Sequence, residues 1–219
     1  MSERRVSTQL VLALPAAAGT GDDLICATAA ALKVVPIATV VLELDAEAPL
    51  PTPDLAACVA GIQNLGVATL IAGDAALARI VRADGVHLPA SKAAPAAYSD
   101  ARETLGGRFI VGVDVGRTRH DAMQLGEAGA DYIAFGIPAF VEDRATAADR
   151  RLDLVEWWAE IFEIPCVAFD VETPDEARAL ANAGADFVAV RLAAAISPDE
   201  IATMLTPFAH ALAMTAPAT

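Results

Sequence analysis

The sequence predicts an α/β chain folded as a single (β/α)8 barrel over residues 1–219, and three observations carry that prediction. Short Val-, Ile- and Leu-rich runs alternate with longer Ala-rich stretches of helical period, the pattern of a parallel sheet with crossover helices. Eight such units follow one another. The apolar runs are mostly continuous rather than alternating, as strands covered on both faces are.

In chain order, the strands are expected at Gln9–Leu14, Ala38–Leu44, Ala68–Ala72, Gly85–Leu88, Phe109–Val113, Tyr132–Gly136, Pro165–Phe169 and Phe187–Arg191. Helices fall between and after them, at Asp22–Lys33, Pro53–Leu65, Asp74–Val81, Pro95–Leu105, Thr118–Ala128, Ala148–Phe162, Pro174–Ala183 and Pro198–Ala213. Pro53, Pro95, Pro174 and Pro198 stand in first turns, where a missing N–H costs nothing. A short motif recurs where helix hands over to strand: Arg82-Ala83-Asp84, Gly129-Ala130-Asp131 and Gly184-Ala185-Asp186. In two of the three, glycine supplies the left-handed residue that ends the helix. These turns read as repeated geometry at the bottom of the barrel rather than as catalytic groups. A length of 219 residues sits at the compact end of the range for such barrels, about 200 to over 400 residues. An open doubly wound sheet would need a Gly-rich phosphate loop after its first strand, and Leu14–Gly21 contains no GxGxxG.

Composition narrows the function classes. The formal charge is −14, with Lys33 and Lys92 the only lysines, which argues against nucleic acid and anionic membranes because both require cations to replace released counterions. Hydrophobic residues make up 55% and mean hydropathy is +0.46, enough to build a core and to exclude a disordered tail. Cys26, Cys58 and Cys166 are too far apart for a zinc motif and read as buried thiols. No leader pattern and no apolar run of ~18 residues is present, so a cytoplasmic location is expected.

From the fourth strand on, the chain resembles thiamine-phosphate synthase and its TenI-like relatives. The carriers are Asp84-Gly85-Val86-His87-Leu88, Gly112-Val113, Gly129–Gly136, Ile164–Ala168 and Gly184–Val190, in order and spacing. The resemblance implies a TIM barrel and a transferase of thiamine biosynthesis. That family joins an aminopyrimidine methyl diphosphate to a thiazole phosphate with Mg²⁺ and releases pyrophosphate. It also implies a homodimer.

The family's ligand positions are substituted here. Its Gln-x-Arg-x-Lys on the second strand corresponds to Val41, Glu43 and Asp45. Carboxylates in place of cations would repel a diphosphate. The magnesium ligand after the third strand is retained as Asp74, whereas the second ligand's segment reads Leu88-Pro89-Ala90-Ser91-Lys92. Gly-Val-Ser becomes Gly112-Val113-Asp114, exchanging a hydroxyl for a group that only accepts when ionised. After the sixth strand the segment Gly136-Ile137-Pro138-Ala139-Phe140-Val141-Glu142-Asp143-Arg144 offers Arg144 as a replacement cation. Ile137 stands where the tautomerase branch has its histidine. Phe169-Asp170 replaces the Gly-Gly that admits the thiazole phosphate, and Arg191-Leu192 replaces Val-Ser.

The mouth is therefore expected to gather Glu43, Asp45, Asp74, His87, Asp114, Gly136, Arg144, Asp170 and Arg191. That set has two readings: a solvated acidic rim with Arg191 paired to a carboxylate such as Asp170, or a pocket for a cation or a metal with oxygen ligands. Asp74 is the metal candidate. His87 reads as a packed histidine. Three functions stay open: a degenerate, inactive relative that binds a small molecule, a working thiamine-phosphate synthase, and another barrel enzyme with a metal in its acidic mouth. No cofactor is assigned to the chain itself beyond the family's Mg²⁺.

Overall fold

A computed structural model of the chain describes residues 7–116, 118–137, 141–193 and 196–215. Eight parallel strands close into a barrel in the order β1 to β8, each followed by a helix. The strands are β1 (Gln9–Ala16), β2 (Ile37–Leu44), β3 (Ala68–Ala72), β4 (Gly85–Leu88), β5 (Ile110–Asp114), β6 (Tyr132–Phe135), β7 (Cys166–Ala168) and β8 (Phe187–Arg191). The helices are α1 (Gly21–Leu32), α2 (Thr52–Asn64), α3 (Ala75–Ile80), α4 (Ala94–Leu105), α5 (Arg119–Glu127), α6 (Arg144–Ile161), α7 (Pro174–Asn182) and α8 (Pro198–Ala213). Among the described residues, no helix is long and apolar enough to cross a membrane. Cys58 and Cys166 are buried thiols as expected, whereas Cys26 is exposed on the outer face of α1. Pro138, Ala139 and Phe140, compared above with the family's loop, lie outside the described residues.

Continuous apolar strands divide their side chains between two cores. Outward-facing residues such as Leu10, Leu12, Val40 and Ile71 pack under the helices. The inward cluster is smaller: Val11, Ala13, Val41, Leu70, Ala134, Val167, Phe169 and Ala189.

The recurrent Ala-Asp turn has a definite task. Asp84 donates its backbone N–H to the Thr69 carbonyl while its carboxylate accepts from the Thr69 N–H at 2.7 Å. Asp131 clamps Val111 in the same two-point way, and Asp186 clamps Cys166. Each aspartate thus ties the start of its own strand to the preceding strand. Gly129 and Gly184 enter these turns at φ +93° and +100°, and Arg82 adopts the same left-handed region at +58° without glycine's freedom.

Apart from α6 the element bounds lie within one or two residues of expectation, β1 running on to Ala16, and two of the differences have a visible local cause. Helix α6 begins at Arg144 instead of Ala148, because Asp143 caps it by accepting from the Thr146 N–H at 3.0 Å. Strand β7 stops at Ala168, since Asp170 turns left-handed at φ +58° and takes the chain out of the sheet.

Candidate active site at the barrel mouth

The C-terminal strand ends surround a cavity of about 280 Å³, lined by Glu43, His87, Asp114, Arg144, Asp170 and Arg191 with Phe169 beneath. Closure of the barrel brings these six together from five strand ends and one helix start. Gly136 is at the lip, where any Cβ would collide with the Asp114 carboxylate. Asp45 and Asp74 are not among the walls. Asp45 lies past the end of β2 in an exposed turn, accepting from the Ala48 and Glu47 N–H groups at 2.8 Å, which hold its carboxyl below the usual range. Asp74 is exposed and caps α3 by accepting from the Leu77 N–H at 2.8 Å.

Inside the mouth, the chain's own carboxylates occupy the groups that could receive an anion. Asp114 Oδ1 accepts from the Gly116 N–H at 2.7 Å and the Gly136 N–H at 3.2 Å. Burial pushes its carboxyl up to about 6, against the pull of those two amides. Asp170 Oδ2 accepts from the Ile137 N–H at 2.9 Å. Arg191 grips Glu43 with two bonds, Nε to Oε2 at 2.9 Å and Nη2 to Oε1 at 2.7 Å, and reaches Asp170 Oδ1 with Nη1 at 3.2 Å. Arg144 pairs with Glu172 at 2.7 Å. Both arginines that line the cavity are therefore engaged.

His87 points into the barrel from β4. Its ring lies 4.3 Å from that of Phe169 and nearly parallel to it, and Nδ1 is 2.9 Å from the Tyr132 hydroxyl. Burial lowers its pKa to about 4, so the imidazole is neutral at pH 7. Tyr132 fits because Gly112, its neighbour on β5, has no side chain; a Cβ there would run into the phenol ring.

One contributor escaped the sequence reading. Arg151, buried on α6, donates to the Phe169 carbonyl and to Glu176, and so fixes the segment that carries Asp170. A signal was present: Ala147, Arg151, Leu154, Val155 and Trp158 share one helical face, which places the arginine inward.

The family model described as thiamine monophosphate synthase matches residues 15–194. The chain belongs to that family. Among curated relatives, the thiamine-phosphate synthase of Erythrobacter litoralis is 46% identical over 126 residues, covering 57% of this chain and 58% of the relative. That of Xanthomonas campestris is 37% identical over 150 residues, covering 68% of each. Relatives such as the first are thus matched over less than two thirds of their length. A thiamine phosphate pyrophosphorylase from Pyrococcus furiosus superposes with a TM-score of 0.70 at 19% identity, covering 96% of this chain and 98% of that one. Tryptophan synthase from Mycobacterium tuberculosis reaches 0.67 at 17% identity over 94% and 93% of the two chains. At such identities these structures share the barrel fold.

Thiamine-phosphate synthases use Mg²⁺, and the donors here fit that ion poorly. Magnesium takes one or two carboxylates along with substrate phosphates. Asp74 is exposed and spends an oxygen on its helix cap, and Lys92 stands in the segment of the second ligand.

Proposed function

We propose that this member of the thiamine monophosphate synthase family binds a small neutral or cationic molecule in its barrel mouth and does not catalyse the pyrophosphate-releasing transfer. One observation carries the reading: the Gly116, Gly136 and Ile137 amides and the Arg191 guanidinium are all taken by carboxylates of the chain itself. A transferring diphosphate needs preorganised donors aimed at its developing charge. Here it would have to displace Asp114 and Asp170 and then sit beside Glu43, in a field of its own sign.

The names of the curated relatives support a second reading, a working thiamine-phosphate synthase. One assay separates the two. Purified full-length chain is given the pyrimidine diphosphate, the thiazole phosphate and Mg²⁺, and released pyrophosphate is followed against a protein-free control. No release above the control is expected; protein-dependent turnover would overturn the proposal in favour of the synthase.

A further inference from the structure

Beneath Phe169, on the side away from the mouth, the barrel holds a second cavity of about 250 Å³, open at its lower end, that the mouth chemistry does not use. Its walls include Val11, Leu70, Val167, Phe169, Phe187 and the ring of Tyr132, whose hydroxyl is bonded to His87. Barrels of this kind are normally filled by layers of bulky branched side chains. The small inward residues Ala13, Ala134 and Ala189 pack with Phe169 nearer the mouth, and below them the inward side chains Val11, Leu70, Val167 and Phe187 line the space without closing it. The space opens toward the N-terminal ends of the strands, where Thr39 and Asp131 stand at its edge.

The chemistry of the lining selects the occupant. An ordered water needs two to four polar partners, and an apolar cavity of ~150 Å³ stays dry and accepts benzene. This cavity is larger and its walls are aliphatic and aromatic. Asp131 already gives one carboxylate oxygen to both the Val111 N–H and Arg102, each at 2.7 Å, so the edge presents no unshared cation to an anionic ligand. We propose that the lower barrel is a binding site for a small, flat, uncharged aromatic molecule of one or two fused rings, entered from the face opposite the mouth. Phe169 is the partition between the two chambers, lining both.

Indole serves as the probe, added to the full-length protein. A saturable rise in melting temperature is expected, with intermolecular nuclear Overhauser contacts from the indole protons to the methyl groups of Leu70 and Val167. Val11→Phe, which puts a ring into the space, should abolish both effects while keeping a cooperative melt. If that variant does not fold, the contacts in the parent protein decide alone. Contacts confined to mouth residues such as Ala72, or no saturable response, would overturn the proposal.

Discussion

Asp114 and His87 lie in the same mouth and are shifted by burial in opposite directions, one carboxyl up to about 6 and one imidazole down to about 4. Their linkage to stability is correspondingly opposed. Between pH ~4 and ~6 native Asp114 holds a proton that the unfolded chain has lost, so its contribution falls as pH rises. Native His87 is neutral while unfolded histidine is protonated below pH ~6.5, so its contribution rises with pH over nearly the same window. The two slopes largely cancel. Asp114→Asn should therefore gain stability over the parent as pH goes from 4 to 6, by an amount up to about 3 kcal/mol for two pK units. Urea midpoints of parent and variant across that range measure the difference, and a pH-independent difference would contradict the assignment. Asp170 offers the other residue-scale lever. It is a non-glycine residue at φ +58°, held there by the Ile137 amide and Arg191. Strain at such a site points toward function. Asp170→Gly relieves the backbone and frees the Ile137 amide and the Nη1 of Arg191, which stays paired with Glu43. It should acquire calorimetrically measurable affinity for inorganic phosphate that the parent lacks; no gain would mean that Glu43 alone keeps Arg191 unavailable.

At the bottom of the barrel the aspartate clamps tie neighbouring strands together in addition to their ladders. Removing the Asp131 carboxylate leaves the Val111 N–H without its partner and Arg102 without its ion pair. Asp131→Ala is expected to cost about 1–2 kcal/mol, read as a lowered denaturant midpoint with an unchanged slope. Arg82→Gly tests the same turn from the other side. The native φ of +58° suits glycine, so the variant should gain up to about 1 kcal/mol, less the entropy that glycine adds to the unfolded chain. The Arg191 pairs contribute differently. Its side chain is 52% exposed, which limits its ion pairs to ~1 kcal/mol or less, so their importance is to the field of the mouth rather than to stability. At this scale the sequence was informative wherever chemistry is local. The left-handed glycines and the Ala-Asp motif marked the turns, whereas the start of α6 was missed because a cap at Asp143 outweighed the weak periodicity of Arg144–Ala147.

For the molecule as a whole, eight strand ends meet in one ring, and that closure converts separate substitutions into an acidic cavity. Glu43 and Arg191 are 148 residues apart in the chain yet share two hydrogen bonds. The resemblance of segments to a family led to the strand ends, and from there to Glu43, Asp114, Asp170 and Arg191 as neighbours. It could not exclude Asp45 and Asp74, since whether a residue at a strand end faces the axis or turns away depends on where the strand stops and what its carboxylate can cap.

The amino-acid order alone determined the class of fold, because hydrophobic period and turn chemistry act over a few residues and need no knowledge of distant partners. It also determined the sign of the charge at the mouth, since residue types are set before any packing. Tertiary structure decided which carboxylate takes which donor, that Arg151 is buried behind Phe169, and that the lower barrel keeps an apolar cavity. Those outcomes follow from distances across a closed barrel, which no local pattern encodes.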